Sequence, residues 1–287
     1  MHMNRYTVTF QGIEGSFSHQ AVNKVFHSKV TLLPEDTFED AFYAISNGKA
    51  QYGVLPIDNS STGPISEVYD LLYKYHLHII GETYIQVEHH LLGLKDSSID
   101  MIEEVYSHPQ AIKQCKRFLK CYPKWRIIPY YDTAKSAKFI MEQNNPSLSA
   151  IGSMEAAKLY NLKILKRDIH DNSLNFTRFL VLSNNLNPID NYDKISIILT
   201  PSNDSNALYN IMNILDRYNI RIIKLCTRPI VDYPFTYMFY MDLKTDMHIE
   251  KMQQVLEYIK NYCTNFRLLG IYYEDKTCQN KMKPLAK

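Results

Sequence analysis

The feature of this sequence that most constrains its fold is a repeated alternation of short apolar segments with amphipathic segments over residues 5–183. Residues 5–10 alternate apolar and polar side chains, as strands do. The apolar residues of 38–45 recur at helical spacing instead. Because parallel strands are joined by crossovers that are usually helices, this alternation predicts an α/β fold with an open sheet, or two such lobes.

The same patterns place the other elements of this region. Pro56 is expected to end a short apolar strand. Strands are predicted at 30–33, 53–57, 78–83, 85–94, 105–107, 126–130, 149–152 and 179–183. Helices are predicted at 16–26, 38–45, 65–72, 109–120, 133–143 and 153–160.

A second pattern begins after a polar segment. Residues 184–194 are polar and contain a proline, which is typical of a linker. The order that follows, over 195–275, is β-α-β-β-α-β, the ferredoxin-like arrangement. Residues 276–287 are rich in lysine and are predicted to be a frayed tail. A chain of 287 residues is long enough for the two domains that this division implies.

Charge and cysteine usage exclude several classes of protein. The 32 lysines and arginines nearly balance 30 aspartates and glutamates, without the basic stripe of a nucleic-acid binder. The five cysteines form no C-x-x-C pair, which argues against a zinc ribbon or a disulfide framework. No apolar stretch approaches the length of a membrane span. We therefore expect a soluble, cytoplasmic protein with reduced thiols that binds neither membrane nor nucleic acid.

Small polar residues collect where predicted strands end and helices begin. Free backbone N–H groups at helix starts attract anions, and in an open α/β sheet such junctions gather at the carboxyl ends of the strands. For any single junction, N-capping alone is a sufficient explanation. Five of them together predict a pocket for a small acid with several charges. They lie at 12–18, 58–63, 107–110, 132–133 and 152–153.

The histidines allow two interpretations. His76 and His78 would share one strand face, and His89 and His90 are adjacent, but no paired cysteine or carboxylate completes a metal site. No metal is therefore predicted. His108 precedes Pro109 and is expected to be a buried or capping residue, with a general acid as the alternative.

A Thr-Arg-Phe sequence stands just before the apolar strand predicted at 179–183. Arg178 could hold a substrate carboxylate through two parallel hydrogen bonds. Its alternative role is a surface arginine on a half-buried edge. Thr177 could donate a hydrogen bond through its hydroxyl, although free threonine is a very weak acid.

Six motifs in order give the chain a resemblance to a known family. It resembles the prephenate dehydratases over nearly its whole length, and 195–275 resembles the regulatory ACT domain that follows their catalytic domain. The matching motifs are Gly12-Ile13-Glu14-Gly15-Ser16-Phe17-Ser18, Pro56-Ile57-Asp58-Asn59-Ser60-Ser61-Thr62-Gly63, Ser107-His108-Pro109-Gln110 with Gln114-Cys115, Asp132-Thr133-Ala134, Ala150-Ile151-Gly152-Ser153 and Thr177-Arg178-Phe179.

This resemblance implies a two-lobed catalytic domain of the type II periplasmic-binding-protein kind at 5–183. It implies conversion of prephenate to phenylpyruvate, water and carbon dioxide in a cleft between the lobes, with no metal or organic cofactor. The catalytic residues implied are Thr177, Asn59, Ser60 and Gln114. The substrate-binding residues implied are Ser16, Phe17, Asp58, Gly63, Ser107, Thr133, Ala134, Gly152, Arg178 and Phe179. An arogenate dehydratase and a non-catalytic small-molecule sensor are the alternatives.

The ACT-like segment implies feedback by phenylalanine and a homodimer or homotetramer, but it departs from the family twice. Asn206 stands where the family has glycine, and Cys226 where it has glutamate. Asparagine adopts the positive φ of such a glycine less readily. The effector-binding residues implied are Asn206, Ala207, Leu208, Cys226, Thr227 and Arg228. Some relatives carry an upstream chorismate mutase region; because the first strand starts near residue 5, a stand-alone dehydratase is expected.

Overall fold

Three β-sheets organise the computed structural model, which describes residues 6–27, 30–186, 192–230 and 233–278. The first sheet has the order β2-β1-β3-β11-β5, with the short β4 paired to β3. Its strands are β1 (Thr7–Gln11), β2 (Thr31–Glu35), β3 (Tyr52–Asn59), β4 (Gly63–Pro64), β5 (His78–Gln86) and β11 (Phe176–Ser183). Its helices are α1 (Phe17–Phe26), α2 (Phe38–Ser46) and α3 (Ser66–Tyr75). Strands β1, β2 and β3 are parallel, and β11 returns antiparallel between β3 and β5.

The second sheet has the order β10-β6-β9-β7-β8 and forms a second lobe. Its strands are β6 (His90–Gly93), β7 (Glu104–Ser107), β8 (Arg126–Pro129), β9 (Leu148–Gly152) and β10 (Lys163–Lys166). Its helices are α4 (Pro109–Gln114), α5 (Lys116–Leu119), α6 (Thr133–Gln143) and α7 (Met154–Leu159), with a 3₁₀ turn at Ile99–Met101. The chain enters this lobe after β5 and leaves it before β11. The two mixed sheets confirm the predicted α/β fold.

The third sheet is antiparallel, with the order β13-β14-β12-β15. Its strands are β12 (Lys194–Pro201), β13 (Arg221–Pro229), β14 (Tyr237–Lys244) and β15 (Cys263–Tyr272), and its helices are α8 (Ala207–Arg217) and α9 (Ile249–Lys260). The elements follow the predicted β-α-β-β-α-β order. Of the predicted linker, residues 187–191 lie outside the described residues.

Several sequence-based boundaries were wrong. Pro56 does not end β3, because the register shifts there: Arg178 pairs with Asp58 and Phe179 with Pro56, so a bulge accommodates the proline. The helix predicted at 109–120 is broken at Cys115 into α4 and α5. Strand β10 was missed altogether, since its four residues alternate too briefly to stand out.

The predicted tail is packed where the structure describes it. Cys278 is buried. The Asp275 carboxylate accepts hydrogen bonds from Lys24 Nζ and Thr83 Oγ1, both at 2.9 Å. Burial alone would raise the pKa of Asp275, but these bonds and those from Thr277 hold the pKa well below its ordinary value. Residues 279–287 lie outside the described residues. No helix in the described part of the chain is long and apolar enough to span a bilayer.

The third sheet packs directly on the first. One hydrophobic cluster joins Ile79 and Leu182 of the first sheet to Tyr240, Leu269 and Tyr272 of the third. The two backbones approach closely at Gly270 of β15, where an added Cβ would lie 2.0 Å from the carbonyl oxygen of Ile79. Because that obstacle is backbone, it cannot turn aside as a side chain would. The absence of a side chain at residue 270 therefore permits this contact.

We expect Gly270→Ala to destabilise the protein by about 3 kcal/mol or more, since overpacking against backbone forces two sheets apart. Urea unfolding followed by circular dichroism measures the loss. Gly81→Ala is the matched control, because its Cβ would meet Val181 at an ordinary 3.8 Å. The control should change stability by less than about 1 kcal/mol. Equal stability of the two variants would contradict this account of the interface.

Candidate active site

A cleft of about 270 Å³ lies between the two lobes. Contacts between the lobes hold one side of it: Ser153 Oγ donates to the carbonyl of Gly15 at 3.0 Å, and Tyr160 Oη to that of Glu14 at 2.8 Å. Gly15 has a φ of +92°, and its added Cβ would lie 3.3 Å from Ala156 Cα. Six of the residues singled out by sequence line this cleft, namely Ser16, Phe17, Asn59, Gln114, Thr133 and Thr177.

Thr177 and Asn59 form the central polar pair of the cleft. They are opposite each other on β11 and β3. Asn59 Nδ2 donates to Thr177 Oγ1 at 2.9 Å and to Asn175 Oδ1 at 2.8 Å. Because Thr177 Oγ1 accepts this bond, its own O–H remains available to donate elsewhere. The pair thus presents a hydroxyl donor to the cleft.

The Asn59 side chain is itself fixed by the turn that follows β3. Its Oδ1 accepts from the backbone N–H groups of Ser61 and Thr62 at 2.9 and 3.0 Å. Asparagine commonly organises a turn in this way. Gly63, with a φ of +83°, brings the chain back to pair with Asn59. The amide donor that contacts Thr177 is therefore held from both ends.

Three helices begin at the cleft. The N-cap side chains accept from backbone N–H groups: Ser16 from His19, His108 from Gln110, and Asp132 from Lys135, at 3.2, 3.1 and 2.6 Å. The capping interpretation of these junctions is therefore confirmed, and His108 is a cap. The three caps also line the cleft. Helix starts leave further N–H groups unpaired within the helix, and these favour bound anions.

The cleft is poor in formal charge. Among the described residues that line it there is no lysine or arginine, and Asp132 is the carboxylate. Burial raises the pKa of Asp132, although the Lys135 N–H bond opposes that shift. Burial lowers the pKa of His108. Neutral donors and helix N-termini, rather than cations, therefore set the potential of this site.

Arg178 does not line the cleft, and the prediction that it holds substrate is wrong. Successive side chains of a strand point to opposite faces, so Thr177 and Arg178 diverge. Arg178 is 5% exposed, and it donates to Glu82 and Asp242, each at 2.6 Å. Its guanidinium joins the first sheet to the third. These carboxylates and Tyr272 Oη, which accepts from Arg178 Nη2 at 3.1 Å, engage all three guanidinium nitrogens.

Other predicted residues also act within the protein. Ser60 Oγ donates to Leu174 O at 3.1 Å and accepts from Phe176 N at 2.9 Å. Ser107 Oγ is fully buried and donates to Ile151 O at 2.8 Å. Neither residue lines the cleft, and backbone groups occupy both hydroxyls.

Asp58 faces the third sheet rather than the cleft, where it accepts from Lys224 Nζ at 2.8 Å and Tyr69 Oη at 3.0 Å. Phe179 is a buried core residue. Three further predicted residues do not line the cleft either, namely Gly63, Ala134 and Gly152.

Some cleft residues were missed as candidates by the sequence reasoning. His89 had been considered only as a metal ligand, yet its Nε2 lies 2.9 Å from Gln114 Oε1. Six more lining residues lie inside the small polar junctions that predicted the pocket, namely Gly12, Ser18, Thr62, His108, Gln110 and Asp132. The remaining lining residues, outside those junctions, are Gln11, Val87, His89 and Ala111.

One cluster could offer ligands to a cation. Glu88, His90 and Asp168 bring ligand atoms within 4.8 Å of one another. His90 Nδ1 accepts from the Asp168 backbone N–H at 3.0 Å, so one of its nitrogens is already used. The cluster does not line the cleft.

The predicted effector residues are spread over the third sheet and α8. Asn206 has a φ of −99°, so it does not adopt the positive φ considered for the family glycine at this position, and α8 starts after it. Arg228 pairs with Asp70 of α3 at 2.7 Å. Thr227 lines a separate cavity of about 430 Å³ with residues such as Asn203 and Phe235. The structure gives that cavity no contact with the other predicted effector residues, Ala207, Leu208 and Cys226.

Comparison with known proteins decides the family. Residues 8–187 match the family model described as prephenate dehydratase. The chain belongs to the prephenate dehydratase family. It is 32% identical over 276 residues to a bifunctional chorismate mutase/prephenate dehydratase of Enterobacter agglomerans, spanning 94% of this chain and 71% of that relative. It is 34% identical to arogenate dehydratase 5, chloroplastic, of Arabidopsis thaliana, over 96% of this chain and 69% of that one.

Solved structures share the whole architecture. The prephenate dehydratase of Arthrobacter aurescens in complex with L-Phe has a TM-score of 0.84 and 25% identity, over 93% of this chain and 90% of that one. A protein described as GqqA, a novel type of quorum quenching acylases, has a TM-score of 0.83 and 26% identity, over 93% and 97%. The family fold therefore includes the third sheet.

We expect Arg178→Met to destabilise the protein by about 3–5 kcal/mol, because it leaves two buried carboxylates with Lys194 as their remaining counter-charge. Thermal and urea unfolding measure the loss. Arg126→Met is the control: its side chain is 72% exposed and pairs with Glu104, so it should cost less than about 1 kcal/mol. A variant at Arg178 with wild-type stability and only a raised KM would restore the substrate-binding role.

Proposed function

We propose that the cleft binds prephenate and converts it to phenylpyruvate, carbon dioxide and water, the reaction of the family. The observation that carries this is the Asn59–Thr177 hydrogen bond, which leaves the Thr177 hydroxyl proton free to donate into the cleft. We assign catalysis to residues 5–183, as two lobes of the type II periplasmic-binding-protein kind. Residues 195–275 would then form an ACT regulatory domain.

The chemistry asks little of the protein beyond positioning and one good donor. The bond between the ring and its carboxylate breaks, and the electron pair enters the ring as carbon dioxide leaves. The carbon–oxygen bond opposite breaks, and the oxygen departs as hydroxide, which becomes the product water when it takes up one proton from the medium. The ring becomes aromatic, which drives the reaction. Thr177 stabilises the departing oxygen by a hydrogen bond that strengthens as charge develops.

The remaining donors of the cleft would hold the substrate. The starts of α1 and α6 offer backbone N–H groups to carboxylates. Gln114 offers a side-chain amide. Fixing the dianion in this way aligns the ring hydroxyl with Thr177, which is the entropic part of catalysis.

Arogenate is the alternative substrate. It carries an ammonium group, which needs an acceptor, and the Asp132 carboxylate in the lining has acceptor capacity beyond the bond that caps α6. An assay that follows phenylpyruvate from prephenate and phenylalanine from arogenate separates the two. A protein that binds either compound without turnover would be a small-molecule sensor instead.

We expect Thr177→Ala to lower kcat on prephenate by about 10²–10³-fold, the loss typical of one transition-state donor. Stability should change little, since Asn59 keeps its bond to Asn175. Thr177→Ser should retain most activity because it keeps the hydroxyl.

Ser60→Ala is the contrasting control. It removes a hydroxyl that bonds backbone groups of residues 174 and 176. Its main effect should therefore be a lower melting temperature rather than a lower kcat. Near wild-type kcat in Thr177→Ala would refute the role given to Thr177.

We also propose that phenylalanine binds the third sheet and lowers activity, and that this sheet mediates a homodimer or homotetramer. The cavity at Thr227 offers both apolar and polar lining to an amino acid. Isothermal titration should show binding at or below millimolar phenylalanine, with a matching fall in turnover. Thr227→Trp should fill the cavity and abolish binding while leaving basal turnover unchanged. No heat of binding at millimolar ligand would contradict this regulation.

A further inference from the structure

His89 lies in one of the two chain segments that connect the lobes. Its backbone N–H donates to His170 Nδ1 at 3.3 Å, and its carbonyl accepts from Ile169 N at 2.9 Å. The neighbouring Val87 N–H donates to Asn175 O at 2.8 Å in the same way. The two connections therefore run side by side, and they fix the backbone from which the His89 ring projects.

The His89 ring contacts one cleft residue from each lobe. Its Nε2 lies 2.9 Å from Gln114 Oε1 at the end of α4. Its edge meets Phe17 of α1, with ring centroids 5.8 Å apart at an interplanar angle of 77°. The residue is 2% exposed. Within the part of the chain that the structure describes, its Nδ1 is buried and makes no hydrogen bond.

The unpartnered Nδ1 decides the direction of the bond to Gln114. If Nε2 carried the lone pair, the proton would sit on Nδ1, and a buried N–H would lack an acceptor. Buried N–H groups without partners are rarer than acceptors without them. The proton therefore belongs on Nε2, which donates to Gln114 Oε1. Burial lowers the pKa of His89 to about 4, although the Gln114 bond opposes the shift, so the ring is neutral near pH 7.

We propose that His89 is a positioning residue that orients the Gln114 amide, so that its NH₂ group rather than its oxygen faces the bound substrate. This inference rests on the proposed dehydratase function. A side-chain amide has two chemically opposite ends that differ little in shape. Without His89, the amide can turn and present its oxygen to a substrate carboxylate, which repels it. His89 thereby makes Gln114 a donor.

The test is a double-mutant cycle that keeps the ring volume. His89→Phe should lower kcat/KM about tenfold to hundredfold, while the melting temperature stays within a few degrees because the aromatic contact to Phe17 is kept. In a Gln114→Ala background the same change should cost less than about twofold, since residues that act as a unit are non-additive. His89→Gln should recover most of the activity, because its amide N–H can stand near the position of Nε2.

His90→Phe is the matched control. This neighbouring histidine is equally buried but does not line the cleft, so its effect should be the same in both backgrounds. An equal loss from His89→Phe with and without Gln114 would overturn the proposal and leave the dehydratase function standing.

Nitrogen-15 spectra of the histidines test the pairing without turnover. They should show His89 as the neutral tautomer with its proton on Nε2, and Gln114→Ala should shift that signal. A proton on Nδ1 would overturn the inference. If wild-type protein forms no phenylpyruvate, the proposed function fails, and these spectra still decide whether His89 donates to Gln114.

Discussion

The buried guanidinium of Arg178 is the contact on which the rest of the arrangement depends. It lies between Glu82 of β5 and Asp242 of β14, and Lys194 Nζ approaches the same glutamate at 2.8 Å. Two cations thus meet two carboxylates. Burial alone would raise the pKa of Asp242, but the Arg178 and Lys194 charges outweigh it and hold the pKa below its ordinary value. Such a group is stable only when complete, because removing one partner strands the others.

Because successive side chains of β11 point to opposite faces, the ion pairs of Arg178 also affect the cleft. Arg178 anchors one face of β11 to the third sheet, and the preceding residue, Thr177, is thereby presented on the other face. The hydroxyl then sits opposite Asn59, whose side chain is fixed by its own turn. Thr177, which lines the cleft, and Arg178, which bonds the third sheet, are therefore consecutive residues of β11. The donor geometry of Thr177 relies on packing that lies outside the cleft.

The sequence predicted the pattern of elements, but it did not predict that Thr177 faces the cleft while Arg178 bonds the third sheet. Periodicity placed α6 at its observed bounds and indicated the β-α-β-β-α-β order, because both depend on local spacing. The orientation of Arg178 depends on Glu82 and Asp242, which are 96 and 64 residues away along the chain. No local pattern carries such a pairing. The bulge beside Pro56 is similar, since it is defined by the register with β11 rather than by the proline.

The capping hydroxyls show the same limit. A serine at a strand end has one sequence signature, whether it bonds a ligand or the backbone. Ser16 lines the cleft while it caps α1. The Ser60 hydroxyl instead bonds two backbone groups, one just before β11 and one in β11 itself. Only the position of the neighbouring chain distinguishes them. Together, the small polar junctions predicted a pocket, but no single junction indicated whether its own side chain lines that pocket.

The scarcity of cations in the cleft suits the proposed reaction better than an arginine clamp would. The ring carboxylate of prephenate loses its charge as carbon dioxide departs, so a strong cation beside it would stabilise the substrate more than the transition state. Interactions of that kind tighten binding without raising kcat. In the proposed reaction, neutral donors would hold the anion less firmly there, while Thr177 would act where charge develops on the departing oxygen. A family arginine that is buried between two sheets, instead of reaching the substrate, is consistent with that distribution of charge.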